Sequence, residues 1–512
     1  MLLIFAGCQS SNHYQDGFAG LKQLHINPGH PLADDSNPGN ETSPLKTIQA
    51  GYKLALQNRS NSLGTRVWLH PAVYREAIQG GASGGGPPIV FQAVVPGTAV
   101  ISGADLWNTG WTTDPGTNLE VNTWSHDWGV EANPWVKHKI TITPLGRRRE
   151  MLIVNGINLE QKLSLTETIS SPGSFYVEES SDTIYVNPLE GPLANAQVEV
   201  AVRPTLVKCQ GVSDLALKGI VFMHANSILP FSAVEIVEQD NIYVEDCRFE
   251  WNNWQGLSFW NTKGVTVRRS TATHNGGDGM EGSQVQGALF EECETSYNGW
   301  RAKKGGLNSW AIGQKFTRAR NLTFCRHRSF GNETRGLWLD SDCSDIVIKD
   351  SYFANNGREG ICLEACQGPT LISGCLITEN QGGGLVTSNT HGLTLQNCVF
   401  DGNWSEVEGE SAQVTIAGVD TRCFRDFVSG IPIVLGNDDW TWVENKMVGR
   451  NAAQAVIRSL FIPTNFNSER NTYWNPADDK VFHMRKKAPM TFGTWVIESN
   501  VDATSEFKLP MN

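Results

Sequence analysis

GLWLDSDCSDIVIKDSYFANNGREGICLE, residues 336–364, carries the same five-residue figure at both ends, GLWLD (336–340) and GICLE (360–364). Leu337 and Leu339, and 24 residues later Ile361 and Leu363, alternate with Trp338, Asp340, Cys362 and Glu364. A period of two marks a β-strand with one face on a core, and its return makes the strand one unit of a repeat. The Gly-led strand is found again as GLSFW (256–260), GMEGS (279–283) and GLVTS (384–388), with Leu257, Phe259 and Leu385 on the core face. A second marker is an Asn that closes a short β segment: Asn253, Asn275, Asn298, Asn332, Asn356, Asn380 and Asn403, in steps of 22, 23, 34, 24, 24 and 23. That period, with the alternation of segments such as SDIVIKDSYF, predicts one coil of a parallel β-solenoid per repeat. Asn is expected at the turn because it tolerates left-handed backbone angles. Leucine-rich repeats have this length, but their LxxLxLxxN pattern is missing.

Composition agrees with an all-β chain. Charged residues are 18%, and Gly (51) and Trp (17) are plentiful, a balance for turns and aromatic rings rather than a charged helical bundle. The net charge of -12 argues against a nucleic-acid partner, which would demand clustered Lys and Arg, and favours a neutral or weakly charged substrate. The cysteines lack CxxC metal spacing. Cys247, Cys293, Cys375 and Cys398 each precede a repeat Asn by five or six residues, and read as a stack of small apolar side chains inside the solenoid. No metal site or cofactor is expected; the only hint of calcium is the acidic loop with Asp34, Asp35 and Asn37.

The repeat divides the chain. Residues 1–20 (MLLIFAGCQSS at the start) read as a lipoprotein signal and linker, which predicts an exported protein, periplasmic or at the cell surface, held to a membrane only through a lipid on Cys8. Residues 21–100 read as a short N-terminal helical cap with the first coils. Residues 101–204 interrupt the pattern with a Trp-rich entry and strand-like runs (REMLIVNGINLEQ, SFYVEE, TIYVNP), and read as an inserted β-sandwich-like domain. Residues 205–512 carry the main helix, its active-site face and the C-terminal coils, where RNTYWNP near residue 470 resembles a terminal coil. Oligomeric state is left open.

Alternation sorts the repeat strands. Ser258, Trp260, Glu281, Ser283, Trp338, Asp340, Cys362, Glu364, Val386 and Ser388 face outward, and SWAIGQKF (309–316) places Ile312 and Phe316 inward and Lys315 outward. Asp340 and Glu364, one coil apart, fall side by side on strands about 4.8 Å apart, with carboxyls expected within about 5–6 Å. Retaining glycosidases place theirs about 5–5.5 Å apart and inverting enzymes about 6.5–9.5 Å. Like charges on adjacent strands are costly and drive one pKa upward, which supplies an acid beside a nucleophile; Lys315 would hold Asp340 ionised. Exposed Trp rings offer platforms for sugar CH faces, so Trp310, Trp338 and Trp260 are candidate substrate contacts. Glu281 is the third outward carboxylate. The long step of 34 inserts WRAKKGGLNSWAIG (300–313) just before the Asp340 coil, where a loop is expected to build the site.

GLWLDSDCSDIVIKDSYFANNGREGICLEACQGP resembles the paired coils of right-handed parallel β-helix glycoside hydrolases, closest to glycoside hydrolase family 120, whose known members include β-xylosidases. DDSNPGN with PLKTIQAGYKLAL resembles the family's amino-terminal cap, and residues 101–204 its inserted β-sandwich. The resemblance implies a retaining hydrolase of oligo- or polysaccharides with Asp340 as nucleophile and Glu364 as general acid/base. Where the family's Glu is followed by a Val-Asn-His-Gly-Pro-like run, this chain has Ala365, Cys366, Gln367, Gly368 and Pro369, a departure on the leaving-group side that brings Gln367 among the candidate substrate contacts. Two readings compete. A polysaccharide lyase on the same solenoid would need a base such as Lys315, Arg301 or Arg335, and a non-catalytic carbohydrate-binding solenoid would use the Trp rings alone.

Overall fold

The computed structural model describes residues 18–81, 84–307, 312–404, 412–419 and 421–508. Each coil contributes three short strands, such as Asp240–Glu245, Arg248–Glu250 and Gln255–Trp260, each pairing in parallel with its equivalents in the coils before and after. Stacked coils build three long sheets, of 13, 13 and 12 strands among the described residues. They are called here the first, second and third sheet, in the order in which the chain visits them. Connections between parallel strands take the right-handed sense, and the product is a right-handed parallel β-helix.

The core is the tube's interior. Leu257, Phe259, Leu337, Leu339, Ile361, Leu363 and Leu385 are all fully buried there, as their alternation predicts. Cys247, Cys293, Cys375 and Cys398 are buried in the same cluster as free thiols, and burial pushes the Cys247 and Cys293 thiols up to about 12.

The repeat Asn has a different role from the one its turn position suggests. The amides of Asn275, Asn298, Asn332, Asn356 and Asn380 are buried, and each donates from Nδ2 to Oδ1 of the Asn one coil on, at 2.8 to 3.0 Å. The chain of amides starts at Asn252, not at its neighbour Asn253, and ends at Asn403, which turns to Gln413 Oε1 at 2.8 Å. The left-handed residue is the one before each ladder position: Trp251, His274, Tyr297, Gly331, Asn355, Glu379 and Gly402 all have positive φ. Asn is there because a turn folded inward leaves peptide groups that must be satisfied without water. Past Asn403 an amide ladder continues at another corner, from Cys398 N–H to Asn445 and from Asn445 to Asn471.

Both ends of the tube are covered. At the amino end, helix α1 (Ile48–Ser60) lays Ile48, Tyr52 and Ala55 on the core. Its first turn is capped by Thr47, by Asp35, which accepts from the Lys46 and Thr47 amides, and by Glu76, which accepts from those of Ile48 and Gln49. Asp34 accepts from Ser36, and Asn37 donates to the Leu32 and Pro44 carbonyls. The loop read for calcium thus caps this helix, with Asp34 and Asp35 also accepting from the Ser36 and Thr47 hydroxyls. At the carboxyl end a second helix (Phe492–Ser499) seats Trp495 on the core.

The solenoid runs through Ser102 before the insert leaves it. Between Ala104 and Ala201 lie a four-stranded and a five-stranded sheet and the short helix α2 (Leu165–Ile169), with Trp111, Trp124, Phe175, Val186 and Val198 in one apolar cluster. Helix α3 (Trp300–Lys304), from the long repeat step, docks this insert. Backbones meet at Gly146 and Gly305, where a Cβ on Gly146 would lie 2.6 Å from the Gly305 Cα.

Candidate active site

Strand Leu337–Asp340 pairs with Ile361–Glu364 in the register Leu337 to Ile361, Trp338 to Cys362, Leu339 to Leu363 and Asp340 to Glu364. Because the leucines fill the tube, the two carboxylates leave from the same edge of the third sheet, on the outside. Side-chain exposure is 15% for Asp340 and 28% for Glu364.

Each acid has its own cation. Lys315, on strand Gln314–Thr317, pairs in register with Glu281 on one side and Trp338 on the other. Its ammonium reaches diagonally to Asp340 Oδ2 at 3.3 Å and lies 3.5 Å from the Trp338 ring centre. Glu364 Oε1 accepts from Arg422 Nη1 at 2.5 Å. Arg422 belongs to a hairpin, Arg422–Arg425 with Pro432–Leu435, that leaves the solenoid after the Asn403 coil and folds back over earlier coils. Asp426 at its bend accepts from Arg320 (2.6 Å) and Gln367 (2.8 Å), and Asp342 accepts from Arg320 (2.7 Å) and from the Phe427 amide (2.8 Å). Burial works against the Asp426 anion, but hydrogen bonds from Ser429, Gln367 and Arg320 hold its carboxyl well below the usual range. The hairpin is thereby pinned at its tip, with Arg422 over Glu364.

A second acidic pair lies behind Lys315. Asp278 and Glu281 both have their pKa raised by burial, and for Glu281 the neighbouring Asp278 adds to it; Lys315 opposes the rise in both. Asp278 accepts from the Ile312 amide at 3.0 Å, and Glu281 accepts from the Gln255 amide.

The other sequence candidates are spread over the molecule. Trp338 is only 7% exposed and packs against Lys315, Arg335, Ile312 and Cys362, so it is a floor beneath the acids rather than an open platform. Ile312 belongs to this outer cluster, and Gln314 takes the inward place beside Phe316; the turn at Gly313 shifts the alternation. Trp260 is half-buried in the same column as Asp340 but three strands earlier, about 14 Å away at the usual strand spacing. Gln367 is part of the hairpin's anchor. Trp310 and Cys8 lie outside the described residues. Among the described residues one cluster, His391 with Asp438 and Asp439, has metal-ligand types; His391 Nδ1 lies 3.0 Å from Asp438 Oδ1, one coil beyond Glu364. Arg422 and Asp278 escaped the sequence reading, the first because it sits where the repeat lapses, the second because it stands in a turn.

The family model described as right handed beta helix region matches residues 232–415. No curated protein is a significant match to the sequence. Among solved structures, the complex of XylC with xylose superposes with a TM-score of 0.68 at 14% identity, over 90% of this chain and 86% of that one. A structure titled glycoside hydrolase gives 0.46 at 12% identity (94% and 99% covered), and the A-module of the mannuronan C-5 epimerase AlgE6 of Azotobacter vinelandii 0.45 at 12% (91% and 95%). The chain thus contains a right-handed β-helix region and shares the fold of XylC.

Proposed function

We propose that this protein is a retaining glycoside hydrolase acting on oligo- or polysaccharides, with a β-xylosidase-like preference. The observation that carries the reading is the register of Asp340 with Glu364, outside the tube on neighbouring strands, each facing a dedicated cation. Strands about 4.8 Å apart suit a nucleophile and an acid about 5–5.5 Å apart better than the wider gap that admits a water between substrate and base. Asp340, ion-paired with Lys315, attacks the anomeric carbon and forms a glycosyl ester while Glu364 gives its proton to the departing oxygen. Glu364, now the anion that Arg422 stabilises, then takes a proton from water as that water cleaves the ester. The resemblance of the 336–369 coils to family 120 supports the sugar assignment, as does the fold shared with a protein crystallised with xylose.

The lyase reading fits these residues less well. Lys315 is committed to Asp340, Arg335 to Glu359 at 2.8 Å, and Arg301 is buried beneath the insert. The deciding experiment is cleavage of an aryl β-xyloside followed by NMR. A first-formed product of retained configuration is expected; an inverted one excludes the covalent route, and no cleavage across xyloside, arabinofuranoside, fucoside, glucoside and galactoside substrates would leave the binding solenoid as the better reading. Export as a surface or periplasmic lipoprotein goes with this substrate and is tested by labelling Cys8 with a radioactive fatty acid.

A further inference from the structure

The insert meets the solenoid around a cavity of about 170 Å³ whose wall comes from both: Asn158 and Glu160 from the insert, Trp251 from the solenoid, and Trp300, Arg301 and Lys304 from helix α3. This is a different side of the tube from the acid pair. Trp251 follows a strand of the second sheet, whereas Asp340 and Glu364 lie on the third.

The chemistry of the wall is specific. Trp251 has a left-handed backbone that throws its ring outward, and it stacks on His274 at 4.6 Å and 18°, which stacks in turn on Tyr297 at 5.1 Å and 25°. Burial lowers the His274 pKa, and the stack is a column of rings ending at the cavity. The second indole, Trp300, is fixed by its Nε1 donating to the His274 carbonyl at 2.9 Å. Two polar atoms in this wall are buried without a hydrogen-bond partner among the described residues: the Asn158 Oδ1 acceptor and the Arg301 Nε donor. Buried groups left unpaired are costly, and an acceptor and a donor together in one wall suit a ligand that both donates and accepts. A hydroxyl does both, and it serves Asn158 in either orientation of its amide.

Charge narrows the choice. Glu160 is already paired with Lys304, and with Lys162 at 2.9 Å. The Arg301 guanidinium gives its other hydrogens to the Leu145 and Glu150 carbonyls and to Gln161 Oε1, at 2.9 to 3.1 Å. Glu160 is thus shared by two ammonium groups, and the Arg301 guanidinium is held by neutral oxygens. Indole rings beside polar groups match a sugar ring, whose CH face is apolar and whose rim is hydroxyl.

We propose that this cavity is a second carbohydrate site, separate from the acid pair, which holds one neutral sugar ring of an oligosaccharide between Trp251 and Trp300. It rests on the hydrolase reading only in the choice of xylose-type probes. The backbone contact at Gly146 and Gly305 makes the cavity pre-formed, so little ordering is lost on binding.

The test is hydrogen exchange by mass spectrometry on the full chain carrying Asp340→Asn and Glu364→Gln, with xylotriose, cellotriose or mannotriose added. Slowed exchange is expected in segments 157–161 and 299–307 with at least one of the three. Asn158→Leu and, independently, Trp251→Ala should weaken that footprint, raising the sugar concentration for half-protection by about tenfold or more. Aryl-glycoside turnover in the otherwise wild-type chain should stay unchanged. The circular dichroism spectrum and melting temperature confirm folding, and Asn158→Leu, which fills rather than empties its place, guards against collapse of the other variant. Protection confined to coils 337–364, protection indifferent to both substitutions, tighter binding of oligogalacturonate than of neutral sugars, or no footprint with any of the three sugars would overturn the proposal. A persisting footprint with no aryl glycoside cleaved would instead sink the hydrolase reading and leave this site standing.

Discussion

Asp340 with Glu364, and Asp278 with Glu281, are two pairs of carboxyl groups on the same side of one solenoid, and Lys315 touches both. The first pair stands outside the tube with one cation per acid and access to solvent. The second has a single lysine beside two acids, and both members are pushed toward the neutral form by burial, Glu281 further by its neighbour. Identical functional groups thus meet different surroundings, one cation per acid in the first pair and one lysine shared by the second. The exposed pair is suited to react. The enclosed pair is suited to hold Lys315 against Asp340 without adding negative charge.

Six substitutions test that contrast. Asp340→Asn and Glu364→Gln should each lower kcat/KM for aryl β-xylosides by about 10³-fold or more; comparable losses from Asp278→Asn would move the chemistry to the enclosed pair. Lys315→Met removes the cation common to both and should cost about 10²-fold in kcat/KM, together with a lower melting temperature because Asp340 loses its partly buried ion-pair partner. Arg422→Met should slow the second half-reaction by about tenfold, seen in stopped flow as a burst of released aryl alcohol. With Arg422 37% exposed at its side chain, stability should change by less than about 1 kcal/mol. Glu281→Gln should leave turnover within about threefold, since a neutral amide replaces a group already favoured in its neutral form.

The last variant also has a pH signature. A carboxyl whose pKa is higher in the folded chain binds its proton preferentially in that state. It contributes stability below the ordinary carboxylate range and loses that contribution as pH climbs toward the raised value. Glu281→Gln should therefore flatten the fall in melting temperature between acid and mildly alkaline pH; an unchanged slope would mean that Glu281 is ionised in the folded protein.

The fold was legible because a solenoid writes its geometry directly into the spacing of residues. Leu337, Leu339, Ile361 and Leu363 name the inner face, and the interval of 24 brings Asp340 to Glu364 without further information. What the spacing could not supply comes from places where the chain leaves the coil. Arg422 reaches Glu364 from 58 positions away on a hairpin without repeat character. Ile312 fell outside the tube because alternation stops at Gly313. Asn252 and Asn253 are neighbours of one residue type, and only the direction of the amide distinguishes the ladder member from the one that bonds the insert at the Arg148 carbonyl. Trp338 was outward by parity yet covered, because parity says which side of a strand a ring leaves and nothing about what lands on it.

The ending of the amide chain at Asn403 also divides the molecule mechanically. In a stack whose units touch only their neighbours, rupture starts at the weakest joint. Here the side-chain bonds that fasten each coil to the next change corner just beyond the coils bearing the acids. Damage entering from the carboxyl end would come to rest at that seam, and the price of stopping there is the hairpin that brings Arg422, so the coils would keep their shape while losing one of their two cations.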